Sequence, residues 1–119
     1  MDLKDSVVIG LVEKIIIKGN GKSKTLLAKI DTGATKSSID TGLAKKLSIG
    51  PVLRSRLIKS AHGSRFRPIV EADIVIAKKR MKAEFTVADR SHMKYTVLIG
   101  QNVLHNGFII DPSKKEVEK

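Results

Sequence analysis

The stretch 29–47, "KIDTGATKSSIDTGLAKKL", decides how this chain is read. It contains Ile-Asp-Thr-Gly twice, nine residues apart, with Asp31 in the first copy and Asp40 in the second. The settings of the two copies differ. The first follows "LLAKI", an apolar run with strand character, so Asp31 falls where a buried strand ends in a turn. Gly33 can take a backbone conformation closed to other residues, and Ala34 is small enough to let a ligand backbone approach. The second copy follows "KSSI" and leads into "GLAKKL". Asp40 therefore reads as a helix N-cap whose carboxylate accepts backbone N–H groups. Leu43, Ala44 and Leu47 would then share a buried face, with Lys45 and Lys46 outside or supporting the C-terminal end.

On this reading the two carboxylates do not meet. If residues 35–39 are extended they span about 16 Å, at about 3.3 Å per residue. Two carboxylates that share one proton sit about 3 Å apart. The chain thus carries one loop of the Asp31 type, and a second carboxylate has to come from elsewhere.

The rest of the sequence is a string of short β-type segments. "SVVIGLVEKIIIK" (6–18), the turn "GNG" and "KTLLAKI" (24–30) form a hairpin that ends at Asp31, and "TKSSI" (35–39) is a further short extended piece. "LIKSA" (57–61) and "RPIVEADIVIA" (67–77) flank "HGSR", a second hairpin with Gly63 near its tip. Glu71 and Asp73 interrupt the apolar run and leave one face of that strand wet. "AKKR" turns the chain, "MKAEFTVA" (81–88) returns with clean alternation, and "YTVLIG" (95–100) is a last strong strand. Only "TGLAKKL" (41–47) and "QNVLH" (101–105) carry helix signals. This pattern predicts an all-β fold, a sandwich or barrel of about seven to nine strands with one or two short helices. No linker is visible, so a single domain over 1–119 is expected, with a core over about 7–112 and a charged tail at 113–119.

Composition narrows the function classes. Of 119 residues, 41% are apolar and 29% charged, and none is cysteine, which excludes disulfides and thiolate metal sites. No apolar run approaches the roughly 18 residues of a membrane span. "MDLKDSVVIG" does not read as a signal peptide, so a cytoplasmic protein with no membrane partner is expected. The net charge of +11 favours acidic partners. The basic residues are spread along the chain, with one denser patch, "KKRMK" at 78–82, and few aromatic rings are present to stack on bases. Nucleic acid is therefore not the expected partner.

Four features, in order, resemble retropepsin-like aspartic proteases. They are "LLAKIDTGAT" as the catalytic loop, the hairpin around "KSAHGSRF" as the flap, "VLIGQNVL" (97–104) as two apolar residues and a Gly leading into a short helix, and "FIIDP" as a closing strand. The sequence is similar above all to a cellular family that carries the name ATP-dependent zinc protease and is often encoded beside ATP-grasp ligases. The resemblance covers roughly residues 7–112. It implies a closed retropepsin-like barrel and a peptidase that acts as a homodimer on a peptide or protein substrate, acidic in view of the charge. It also implies catalytic roles for Asp31, Thr32 and Gly33, and substrate contacts by Ala34, His62 and Gly63, with Leu98, Ile99 and Gly100 beneath the loop.

The chain departs from the viral pattern at two linked positions. The ion pair of retroviral enzymes is replaced by Thr35 and Gln101, both neutral. The histidines, His62, His92 and His105, lack any ligand spacing. His105 suits a helix C-cap, and neither metal nor cofactor is expected. Two other classes remain open at this point. One is a dimer of the same fold that binds peptides without cleaving them. The other is a basic nucleic-acid binder in which Asp31 is only a turn residue.

Overall fold

The computed structural model describes residues 6–61 and 63–115. Among these described residues nine strands and two short helices appear in the order β1 (Val7–Ile9), β2 (Val12–Lys18), β3 (Ser23–Ile30), β4 (Ser37–Asp40), α1 (Thr41–Lys46), β5 (Arg54–Ser60), β6 (Gly63–Ile76), β7 (Lys79–Ala88), β8 (Val97–Ile99), α2 (Gln101–Leu104) and β9 (Phe108–Ile110). The expected 6–18 segment is broken at Gly10 and Leu11 into β1 and β2. A Cβ on Gly10 would meet the Lys114 carbonyl oxygen at 2.9 Å, so only glycine lets the C-terminal segment pass this close.

Six strands close on themselves in the order β2-β3-β8-β4-β7-β6, with β6 returning to pair with β2. Alternation decides what fills the barrel. Val70, Ala72, Ile74 and Ile76 of β6 are buried while Glu71 and Asp73 are exposed, as the interrupted apolar run predicts. Across the ladder Val70 faces Phe85 and Ala72 faces Ala83. Ile15 and Ile17 of β2 join them, so the core is built from branched aliphatic residues around one fully buried ring, Phe85. The hairpin between β6 and β7 turns at Ala77 and Lys78, both with positive φ (49° and 72°), the twist a two-residue turn requires.

Two features of the topology position the candidate site. First, β8 lies between β3 and β4, parallel to β3 and antiparallel to β4. The chain leaving β3 must therefore pass over the end of β8 before it can form β4, and residues 31–36 make that crossing. Second, β5 and the first half of β6 extend as a hairpin paired from Arg54↔Ile69 to Ser60↔Gly63. Gly63, with φ of 112°, stands at its tip. Outside the barrel, β1 and β9 form a two-stranded parallel sheet (Val7↔Phe108 to Ile9↔Ile110), which brings the two ends of the described chain together.

Candidate active site

Asp31 is the first residue beyond β3, held where the sheet ends. Its N–H donates to the Ile99 carbonyl at 2.9 Å, which extends the parallel β3–β8 ladder by one bond. Its Oδ1 accepts the Gly33 N–H at 2.9 Å, and the Ala34 N–H donates to its carbonyl at 3.2 Å. The side chain is half-buried, and Thr32 and Gly33 are exposed. Gly33 does not use the left-handed freedom that glycine allows there. A Cβ there would sit 3.3 Å from the Asp31 carboxylate oxygen that its own N–H holds, a tight contact that a shift of the carboxylate by a few tenths of an ångström would relieve.

The loop is locked from beneath by β8 and α2. The Gln101 N–H donates to the Ala34 carbonyl (2.8 Å), the Asn102 N–H to the Thr35 carbonyl (3.2 Å), and the Gln101 side-chain amide to the Thr32 carbonyl (2.8 Å). The neutral Gln101 thus clamps the loop through its backbone and needs no charge on Thr35. Gly100 lies so close under the loop that a Cβ would meet the Lys36 and Ala34 carbonyl oxygens at 2.6 and 2.7 Å. Its N–H donates to Ser37 Oγ, and Ser37 donates both its N–H and its hydroxyl to Asn102 Oδ1. Asn102 and Ser37 are residues that the sequence reading did not single out. A polar pair at this spacing looks like ordinary surface until the fold buries it.

Asp40 is the helix cap its context predicts. Its Oδ2 accepts the Gly42 and Leu43 N–H groups at 3.1 and 3.3 Å, and Oδ1 accepts the Arg90 N–H at 2.8 Å. Strand β8 separates it from Asp31. Asp40 bonds at the Thr96 end of β8 and Asp31 at the Ile99 end. That places the two carboxylates about 10 Å apart along the strand and two strand spacings apart across it, so they form no pair. Leu43, Ala44 and Leu47 are buried together and His105 caps α2, both as expected.

Beside Ile30, the residue before Asp31, lies a groove of about 440 Å³. Leu11, Ile30, Met93 and Tyr95 supply its apolar surface, and Lys29, Arg90 and Lys94 line it with positive charge. Burial lowers the Arg90 guanidinium below the usual arginine range, while Asp40 and Asp31 pull it back up. The guanidinium is fixed by its Nε donating to the Tyr95 carbonyl at 3.1 Å. On the hairpin, Phe66 and its cross-strand partner Leu57 share the side of β6 that carries Val70, and both are exposed, Phe66 at 72%. His62 lies outside the described residues. Among the described residues no group of three or more His, Cys, Asp or Glu side chains could hold a metal ion, and no helix is long and apolar enough to cross a membrane.

None of the curated proteins matches the chain significantly. Solved structures share its fold. The protein Lpg0085 from Legionella pneumophila subsp. pneumophila str. Philadelphia 1, of unknown function (DUF785), is 20% identical over 92% of this chain and 95% of that one, with a TM-score of 0.63. EIAV protease complexed with the inhibitor HBY-793 is 20% identical over 80% and 85%, with a TM-score of 0.64. Simian foamy virus (mac) protease is 17% identical over 77% and 91%, with a TM-score of 0.56. At these identities the likeness is one of fold. A family model named RimB-like, for the retropepsin-like aspartic endopeptidase RimB, matches residues 44–119. The match covers more than half of the chain and takes in the hairpin, β6 to β8 and the helix beneath the Asp31 loop. The zinc named for the resembling cellular family has no counterpart in that description. On this match the chain belongs to the RimB-like family of retropepsin-like aspartic endopeptidases.

Proposed function

We propose that the protein is an aspartic-type endopeptidase that works as a homodimer, with Asp31 of each copy meeting on a two-fold axis. The observation that carries this reading is the Asp31 loop itself. A half-buried carboxylate stands at the end of a strand, with its backbone fixed by Ile99, Gln101 and Asn102 and one oxygen already bonded to Gly33. One chain supplies one such carboxylate, and an isologous contact supplies the second. Two carboxylates at that distance repel each other when both are charged, so one proton is shared between them. The ionised partner takes a proton from a bound water, which attacks the peptide carbonyl. The protonated partner stabilises the developing oxyanion and then protonates the leaving amine. Thr32 and Gly33 complete the loop, Ala34 leaves room for the substrate backbone, His62 contacts the substrate, and the hairpin with Gly63 at its tip closes over the peptide and excludes water.

The substrate is an acidic peptide on this reading. Lys29, Arg90 and Lys94 line the groove that begins at Ile30, and its apolar floor suits the aliphatic stems of glutamate side chains. The test is incubation of the protein with a diverse peptide pool, read by mass spectrometry, with Asp31→Asn as the control. Cleavage beside acidic residues that disappears in Asp31→Asn supports the proposal. Peptide retention without cleavage by the native protein would identify a binding module instead.

A further inference from the structure

The flap hairpin carries an excess of positive charge on one side. Arg54, Arg56 and Ile58 of β5 stand opposite Ile69, Arg67 and Arg65 of β6, so these side chains share the side turned away from Val70 and the barrel interior. Arg56 and Arg67 are direct partners, and like charges in that relation destabilise a ribbon. The Arg67 Nε is buried with no hydrogen-bond partner among the described residues. A two-stranded hairpin is marginal by itself. One carboxylate counters this charge at the hairpin base, that of Glu84 on β7. Its Oε1 accepts Arg54 Nη2 at 2.6 Å and its Oε2 accepts Arg54 Nη1 at 3.2 Å, a two-pronged contact.

The same Oε1 accepts Lys36 Nζ at 2.9 Å, and Lys36 is the residue through which the Asp31 loop enters β4. Glu84 also acts through its backbone. Its carbonyl accepts the Asn102 Nδ2 at 2.9 Å, and Asn102 holds Ser37, whose hydroxyl holds Gly100. Base of the hairpin, Asp31 loop and α2 therefore meet at one residue. We infer that Glu84 is a positioning residue that fixes the flap hairpin in register with the Asp31 loop. This rests on reading the loop as the active site and the hairpin as its flap. Removing the charge does more than delete a contact, because Lys36 and Arg54 touch the same oxygen. Without it two cations face each other across a few ångströms, and their repulsion lifts the hairpin away from the loop.

Hydrogen exchange on the full chain tests this without any need for activity. Glu84→Gln is expected to raise exchange in 54–68 and 31–36 by about tenfold, the order that goes with a lost charge-assisted pair, while β2, β3 and β7 keep their protection. The neutral triple variant Lys36→Met/Arg54→Met/Glu84→Gln, which removes the repulsion, should restore part of the protection. If Glu84→Gln does not fold, Arg54→Met and Lys36→Met report separately, the first loosening the hairpin and the second the loop. Unchanged exchange in the hairpin, or a uniform rise across the barrel, overturns the inference. Where cleavage is detected, Glu84→Gln should raise KM more than it lowers kcat. Absence of cleavage in the native protein, with the exchange result intact, would count against the peptidase reading alone.

Discussion

Asp31 and Asp40 occupy the same tetrapeptide, yet their surroundings bond them differently. Asp40 is 8% exposed and spends both oxygens on three backbone N–H groups, so its role is to satisfy donors that burial would otherwise orphan. Asp31 bonds one N–H and keeps a half-buried carboxylate at the loop surface. Asp40→Ala should therefore lower stability by about 1–2 kcal/mol, seen as a lower urea midpoint at constant slope. Asp31→Asn should abolish cleavage and leave the urea midpoint within about 0.5 kcal/mol of native. Activity lost in Asp40→Asn and retained in Asp31→Asn would reverse the assignment.

Among the elements, β8 and the turn into α2 tolerate the least change. A methyl group on Gly100 has backbone carbonyls on the side it must occupy, so neither neighbour can move without moving the Asp31 loop. Gly100→Ala is expected to cost about 1–3 kcal/mol, the range for overpacking, with the melting temperature lowered and the loop amides exchanging faster than those of β6. The Glu84 clamp has its own pH signature. Arg54 first, then Lys36, hold its carboxyl at about 2, below its usual 4.5. The folded form thus binds the proton less tightly than the unfolded chain, and the clamp contributes fully above about 4.5. That contribution is lost as pH falls from there toward 2. Native stability should drop across this window more steeply than that of Glu84→Gln, and parallel curves would show that the clamp contributes nothing. On β5, an edge strand, the arginines and Lys59 also discourage pairing with other chains.

At the scale of the whole chain, the proposed dimer has to overcome its own charge. Each copy carries +11, so association is opposed at low ionic strength and moderate salt should strengthen it. Specific activity should fall on dilution below the dimer dissociation constant, followed by sedimentation and activity on the same samples. Activity undiminished in a species shown to be monomeric would end the shared-carboxylate mechanism. The β1–β9 pair suits such a contact better than the composition of the C-terminal segment suggests. Lys114, part of a highly charged stretch, is drawn back onto buried Glu13 at 2.8 Å and donates to the Val8 carbonyl. One cation of the tail is thereby neutralised beside the exposed Val8.

Strand order along the chain, the two short helices, the wet face of β6 and the capping role of Asp40 all follow from local pattern. Alternation, helix-cap chemistry and turn residues act over a few positions, and those positions are written consecutively. The pairing of Glu13 with Lys114, the Asn102–Ser37–Gly100 chain, and Glu84 between Arg54 and Lys36 were not legible in this way. Their partners lie 101, 65 and 30 to 48 residues apart. The conformation of Gly33 also had to wait for the fold, because its φ lies outside the left-handed region and its tight neighbour is the Asp31 carboxylate oxygen. The Asn102–Ser37–Gly100 contacts arise only when β8 slides between β3 and β4, since that insertion buries Ser37 where its polar groups must find partners. The two ion pairs wait on the return of the C-terminal segment to β2 and on the packing of β5 and the Asp31 loop beside β7.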